Sequence, residues 1–116
     1  MKIYPLIITL ILVLSVVSCS GPGKYDTFAK CLTERNATMF GAFWCSHCQA
    51  QKKSFGSSWQ YVNYVECSTP DGQSQTEYCA LEKITGYPTW QFVDSSRLSG
   101  EVSFDILAEK TGCVLN

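Results

Sequence analysis

The chain has 116 residues, with nine Lys and Arg against ten Asp and Glu for a formal net charge of −1, and it carries seven cysteines. No basic cluster is larger than Lys52-Lys53, which argues against nucleic acid as a partner. The length allows one domain with a sizeable core and leaves no room for a second.

Lys2 is followed by Ile3 to Val17, an apolar run without a charge, and then by a small-residue junction at Ser18; residues 1–18 have the layout of a secretory signal. Fifteen residues make a helix of roughly 22 Å, short of a hydrocarbon core of about 30 Å, so a spanning helix is disfavoured. Val16-Val17-Ser18-Cys19 resembles the lipobox of bacterial lipoproteins, which implies a lipid on Cys19; an ordinary signal peptide or an uncleaved anchor is the alternative. Residues 19–24 contain Ser20-Gly21-Pro22-Gly23, a flexible tether, ahead of a domain at residues 25–116. The domain is thus expected outside the cytoplasm, anchored to the membrane in the periplasm or at the outer face of the cell.

Asp26 or Thr27 can cap a first helix whose Phe28, Cys31 and Leu32 recur at helical spacing, with Arg35 near its negative end. Thr38 to Trp44 is an apolar strand that runs into a helix from Cys45 to about Phe55. That junction holds Trp44-Cys45-Ser46-His47-Cys48. At a helix N-terminus the unpaired N–H groups and the macrodipole favour a thiolate, so Cys45 is the expected nucleophile and Cys48, one turn in, its resolving partner. The imidazole of His47 can donate to or sit near the Cys45 thiolate. Half of a zinc site is the competing reading of such a pair, but Cys67 and Cys79 are too far apart to complete one and His47 is the only histidine, so neither metal nor cofactor is called for.

Tyr61 to Cys67 is a β-rich run, and Glu77 to Ile84 a short helix stopped by Gly86-Tyr87-Pro88. Thr89 to Val93 and Arg97 to Gly100 form a hairpin around Asp94-Ser95-Ser96; Ser103 then caps a closing helix bearing Phe104, Leu107 and Ala108, with Gly112 at its end. Trp44, Trp59 and Trp90 are core or groove packing, Trp44 also shielding the neighbouring thiols. Asn36-Ala37-Thr38 fits a glycosylation acceptor and is assigned no role.

Lipidation of Cys19 would leave six cysteines, a number that can pair completely in an oxidising compartment. With Cys45 and Cys48 taken together, the polar, turn-rich stretch between Cys67 and Cys79 could be pinned by a local bridge, leaving Cys31 to Cys113. Six cysteines allow fifteen connectivities, and spacing does not choose among them.

The order α-β-α-β-α-β-β-α, with WCxxC opening the second helix and Gly86-Tyr87-Pro88-Thr89 before the third strand, resembles the thioredoxin fold: α/β, a central mixed sheet flanked by helices. More narrowly, Phe28 to Leu32, Met39 to Cys48, Tyr64 to Cys67 and Gly86 to Trp90 look like the thioredoxin-like domain fused to bacterial and plant homologues of vitamin K epoxide reductase. That resemblance implies electron transfer from substrate thiols to a membrane enzyme that reduces a quinone. It also implies a cis bond before Pro88, in a loop that lies beside the thiols and holds substrate, with Trp44 and Tyr87 lining the groove. It favours a bridge between Cys67 and Cys79. Thioredoxins usually carry a buried acid six residues before the first active cysteine; here that position is Met39, and Glu66 is a weak substitute.

The expected protein is therefore a membrane-tethered thiol-disulfide oxidoreductase that promotes disulfide formation in exported, cysteine-containing proteins and is reoxidised by a vitamin K epoxide reductase-like or other quinone-linked membrane partner. A reductase serving cytochrome or metal-site cysteines would run the same steps backwards. A disulfide-stapled binding lipoprotein without turnover is the non-enzymatic alternative.

Overall fold

The computed structural model describes residues 21–116; the expected signal segment at residues 1–18 and the expected lipidation site Cys19 lie outside the described residues. The elements are α1 (Asp26–Glu34), β1 (Thr38–Gly41), α2 (Ser46–Phe55), a 3₁₀ helix (Gly56–Tyr61), β2 (Asn63–Glu66), α3 (Glu77–Leu81), β3 (Thr89–Gln91), β4 (Arg97–Ser99) and α4 (Phe104–Thr111). The sheet has the order β2-β1-β3-β4; β1 runs parallel to β2 and antiparallel to β3, which pairs antiparallel with β4. This mixed sheet with its four helices is a thioredoxin-like α/β arrangement. Among the described residues no helix is long and apolar enough to cross a membrane.

The central strand is buried on both faces because alternate side chains leave it in opposite directions. Met39 enters a core shared with Phe28 and Leu32 of α1, Phe55 of α2, Trp90 of β3 and Leu107 of α4. Phe40 enters a second cluster with Ile84, Cys67 and Cys79. Phe55 is the hub of the larger core, its ring centroid 4.6 Å from Phe104 and 5.7 Å from Trp59. Full burial of such a side chain contributes about 1.5–3 kcal/mol.

Several element ends differ from the sequence expectation. β1 stops at Gly41, not Trp44: the Cys45 N–H donates to the Ala42 carbonyl at 3.0 Å, which closes a turn, and Phe43 and Trp44 are 46 % and 53 % exposed. Their apolarity belongs to the surface beside the thiols. Neither Asp26 nor Thr27 caps α1; Tyr25 stands at that position without a side-chain bond, while the Asp26 carboxylate accepts the Gly23 N–H and the Ser58 hydroxyl. The 3₁₀ helix shortens β2 at its start, and α3 ends at Leu81, short of Ile84. The hairpin strands are likewise trimmed to three residues each. Ser103 does cap α4, accepting from the Ile106 N–H, and Gly112 takes the left-handed conformation (φ 74°) that lets its N–H reach the Ala108 carbonyl.

Among the described residues two disulfides are formed. Cys31 in α1 joins Cys113 beyond α4, an 82-residue span, and Cys67 joins Cys79 across the loop between β2 and α3.

Candidate active site

Cys45 and Cys48 stand as free thiols at the start of α2. Cys45 occupies the N-cap in extended conformation, and its Sγ accepts the Cys48 backbone N–H at 3.2 Å. A thiolate here is capped by the same donor that would hold a Ser or Asp oxygen. Both cysteines are buried, but Cys45 keeps 8 % of its surface open, whereas Cys48 has none. Burial, reinforced by the hydrogen bond to Cys45, pushes the Cys48 thiol up to about 12 from an ordinary 9.0. The two sulfurs are thus unlike: one is reachable and the other is sealed and proton-bound.

The Tyr87–Pro88 peptide bond is cis, and the Tyr87 carbonyl oxygen lies 3.6 Å from Cys45 Sγ, where the thiol donates to it. Pro88 is fully buried behind that carbonyl. The Tyr87 ring meets Trp44 edge to face, centroids 5.9 Å apart, so the two aromatics form one wall over Cys45. Both are held by the loop that Cys67 and Cys79 pin. The Trp44 indole N–H donates to the Ser68 hydroxyl at 3.0 Å, and Gln75 donates to the Tyr87 hydroxyl at 2.9 Å.

Of the residues singled out in the sequence, Cys45, Cys48, Trp44, Tyr87 and Pro88 converge. The His47 ring is paired with a residue far along the chain: its Nδ1 lies 2.8 Å from the Glu101 carboxylate, in a pair open to solvent. Cys31 and Cys113 lie in the disulfide that ties α1 to the chain after α4. The sequence reading missed Ser68, Gln75 and Glu101, whose roles depend on distant chain segments; Ser68 and Gln75 had the one available signal, a place inside a loop flanked by two cysteines. A cleft of about 560 Å³ lined by Tyr25, Gln51, Glu101 and Phe104 contains neither thiol and touches the site only through Glu101.

No protein-family model matches the chain. Over 105 residues, 86 % of this chain, it is 45 % identical to the thiol-disulfide oxidoreductase LTO1 of Arabidopsis thaliana. The chain spans 27 % of the length of that protein. The described geometry is suited to the same class of chemistry: a capped, accessible sulfur for attack, a buried sulfur one turn away for resolution, and an aromatic wall with a carbonyl beside the reacting atom.

Proposed function

We propose that this protein is an extracytoplasmic, membrane-tethered thiol-disulfide oxidoreductase that forms disulfides in exported proteins. The observation that carries the reading is the asymmetry of the pair: Cys45 is reachable on the α2 N-cap beside the cis Tyr87–Pro88 bond, and Cys48 is wholly buried. In the cycle, a substrate thiolate attacks Cys45 Sγ of the oxidised pair; the Cys45–Cys48 bond breaks and Cys48 leaves as a thiolate that takes up a proton. A second substrate thiolate attacks the substrate sulfur of the mixed disulfide, the substrate disulfide forms, and Cys45 leaves as the capped thiolate. Two electrons now reside on the pair. A quinone-linked membrane partner removes them, a step that follows the likeness to domains fused to vitamin K epoxide reductase homologues. The signal-like leader, the lipobox ending in Cys19, and two disulfides outside the thiol pair support an oxidising compartment.

The test is to mix the oxidised protein with a reduced peptide carrying two cysteines and to trap the redox state of Cys45 and Cys48 in cells. One peptide disulfide formed per protein molecule, and a pair held mainly oxidised in cells, is the expected result. A pair held reduced in cells would reverse the direction to that of a reductase, and no exchange at all would leave the stapled binding protein.

A further inference from the structure

Cys48 must lose and regain a proton in every cycle, yet its sulfur has no contact with solvent. β1, which passes beside it, offers no ionisable side chain, since its residues are Thr38, Met39, Phe40 and Gly41. The ionisable groups that act on Cys48 from its own helix are Cys45 and Lys52, and the next strand, β2, supplies Tyr64 and Glu66. Gly41 is paired with Glu66 in the parallel ladder, and Met39 with Tyr64. A β-carbon built on Gly41 would stand 3.0 Å from Cys48 Sγ, 3.0 Å from Tyr64 Cε2 and 3.3 Å from the Tyr64 hydroxyl oxygen. The space that a side chain at position 41 would fill therefore borders both the thiol and the phenol, and any residue larger than glycine would press against both.

Beyond the phenol the path continues. The Tyr64 hydroxyl donates to Glu66 Oε1 at 3.2 Å, and Glu66 Oε2 accepts the backbone N–H groups of Phe43 and Ser68, which fix the carboxylate. Glu66 is only half-buried, so it can exchange protons with water. The Lys52 ammonium sits 4.0 Å above the Tyr64 ring and favours negative charge developing on either the phenol or Cys48.

Resting on the exchange chemistry proposed above, the geometry points to Tyr64 and Glu66 as the proton path of Cys48. When Cys48 resolves a mixed disulfide on Cys45, its proton passes to the Tyr64 oxygen as the Tyr64 proton passes to Glu66 Oε1. The Cys48 thiolate then attacks Cys45 Sγ; the Cys45–Cys48 bond forms and the other sulfur leaves as a thiolate. When Cys48 is instead the leaving group, the protons return by the same route, and no electrons pass through Tyr64. Burial, and then the Glu66 carboxylate, hold the phenol well above its ordinary range, so Tyr64 passes a proton on without storing the charge.

The probe is oxidised glutathione, mixed in stopped flow with the reduced protein and with its Tyr64→Phe and Glu66→Gln variants, acid-quenched samples separating mixed-disulfide formation at Cys45 from closure by Cys48. Tyr64→Phe keeps the ring in place, and Glu66→Gln is an independent second test that leaves the tyrosine intact. At pH 7 both variants should close at least about tenfold more slowly than wild type while forming the mixed disulfide at the same rate. Their closure rates should then climb with pH towards the wild-type rate as hydroxide replaces the relay. Equal closure rates and pH profiles in all three proteins would overturn the relay and leave the exchange chemistry standing. A wild-type protein that forms no mixed disulfide would overturn both.

Discussion

Cys45 and Cys48 show how position divides one side-chain type into two chemistries. Three residues of helix turn a capped, accessible sulfur into one that is sealed and held as a thiol. Iodoacetamide at pH 7 should therefore label Cys45 alone in the reduced native protein, with Cys48 labelled only after unfolding; equal labelling of both would contradict this division. The thiol pair itself was legible from its spacing and from the helix that must begin beside it. The partner of His47 was not, because Glu101 lies 54 residues along the chain and no local pattern marks it. That pair sets a second prediction. Glu101→Gln removes a negative charge near the α2 N-terminus, so the reduced thiolate becomes easier to hold and the disulfide a stronger oxidant. The rise is small, because both partners are exposed and solvent screens them. Equilibration against glutathione measures it, and the rise should shrink in high salt; an unchanged or lowered potential would separate the pair from the redox centre.

At the scale of elements, the order of α-helices and strands followed from periodicity and turn residues, while the ends moved, the cap expected for α1 did not form and the 3₁₀ helix at Gly56–Tyr61 was an addition. Phe43 and Trp44 extend the apolar run of β1 in the sequence, yet a turn at Ala42 puts them on the surface, because an aromatic that serves a binding wall has the same composition as one that serves a core. The loop between Cys67 and Cys79 could be recognised as a staple from its flanking cysteines. Its further task, to carry Ser68 to Trp44 and Gln75 to Tyr87, appears only once the chain is folded. Gln75→Ala should loosen Tyr87 and raise the KM for a dithiol peptide while leaving iodoacetamide labelling of Cys45 unaltered, at a stability cost of about 1 kcal/mol. Peptide kinetics with thermal unfolding would show both effects, and an unaltered KM would remove the loop from substrate binding.

For the whole molecule, the Cys31–Cys113 bridge closes most of the domain into one loop, and the chain-entropy model assigns a closure of that length about 4–5 kcal/mol. Replacing both cysteines by alanine should lower the urea midpoint by an amount equivalent to about 2–5 kcal/mol, with Cys45 still reactive. Stability should also depend on pH through Cys48. In the unfolded chain this thiol titrates near 9.0 and in the fold near 12, so between those values the unfolded state has lost a proton that the folded state retains. The reduced protein should then lose stability as pH rises from about 9 towards 12, and the form with Cys45 joined to Cys48 should lack that loss. Parallel urea titrations of the two forms check the difference. The most direct test of the account is to trap mixed disulfides from Cys48→Ser and Cys45→Ser variants exposed to cysteine-containing substrates. Cys48→Ser should accumulate covalent complexes through Cys45, because the attacking sulfur survives without its resolver, and Cys45→Ser should accumulate almost none; equal trapping by the two, or none by either, would contradict the assignment of Cys45 as nucleophile in a thiol-disulfide oxidoreductase.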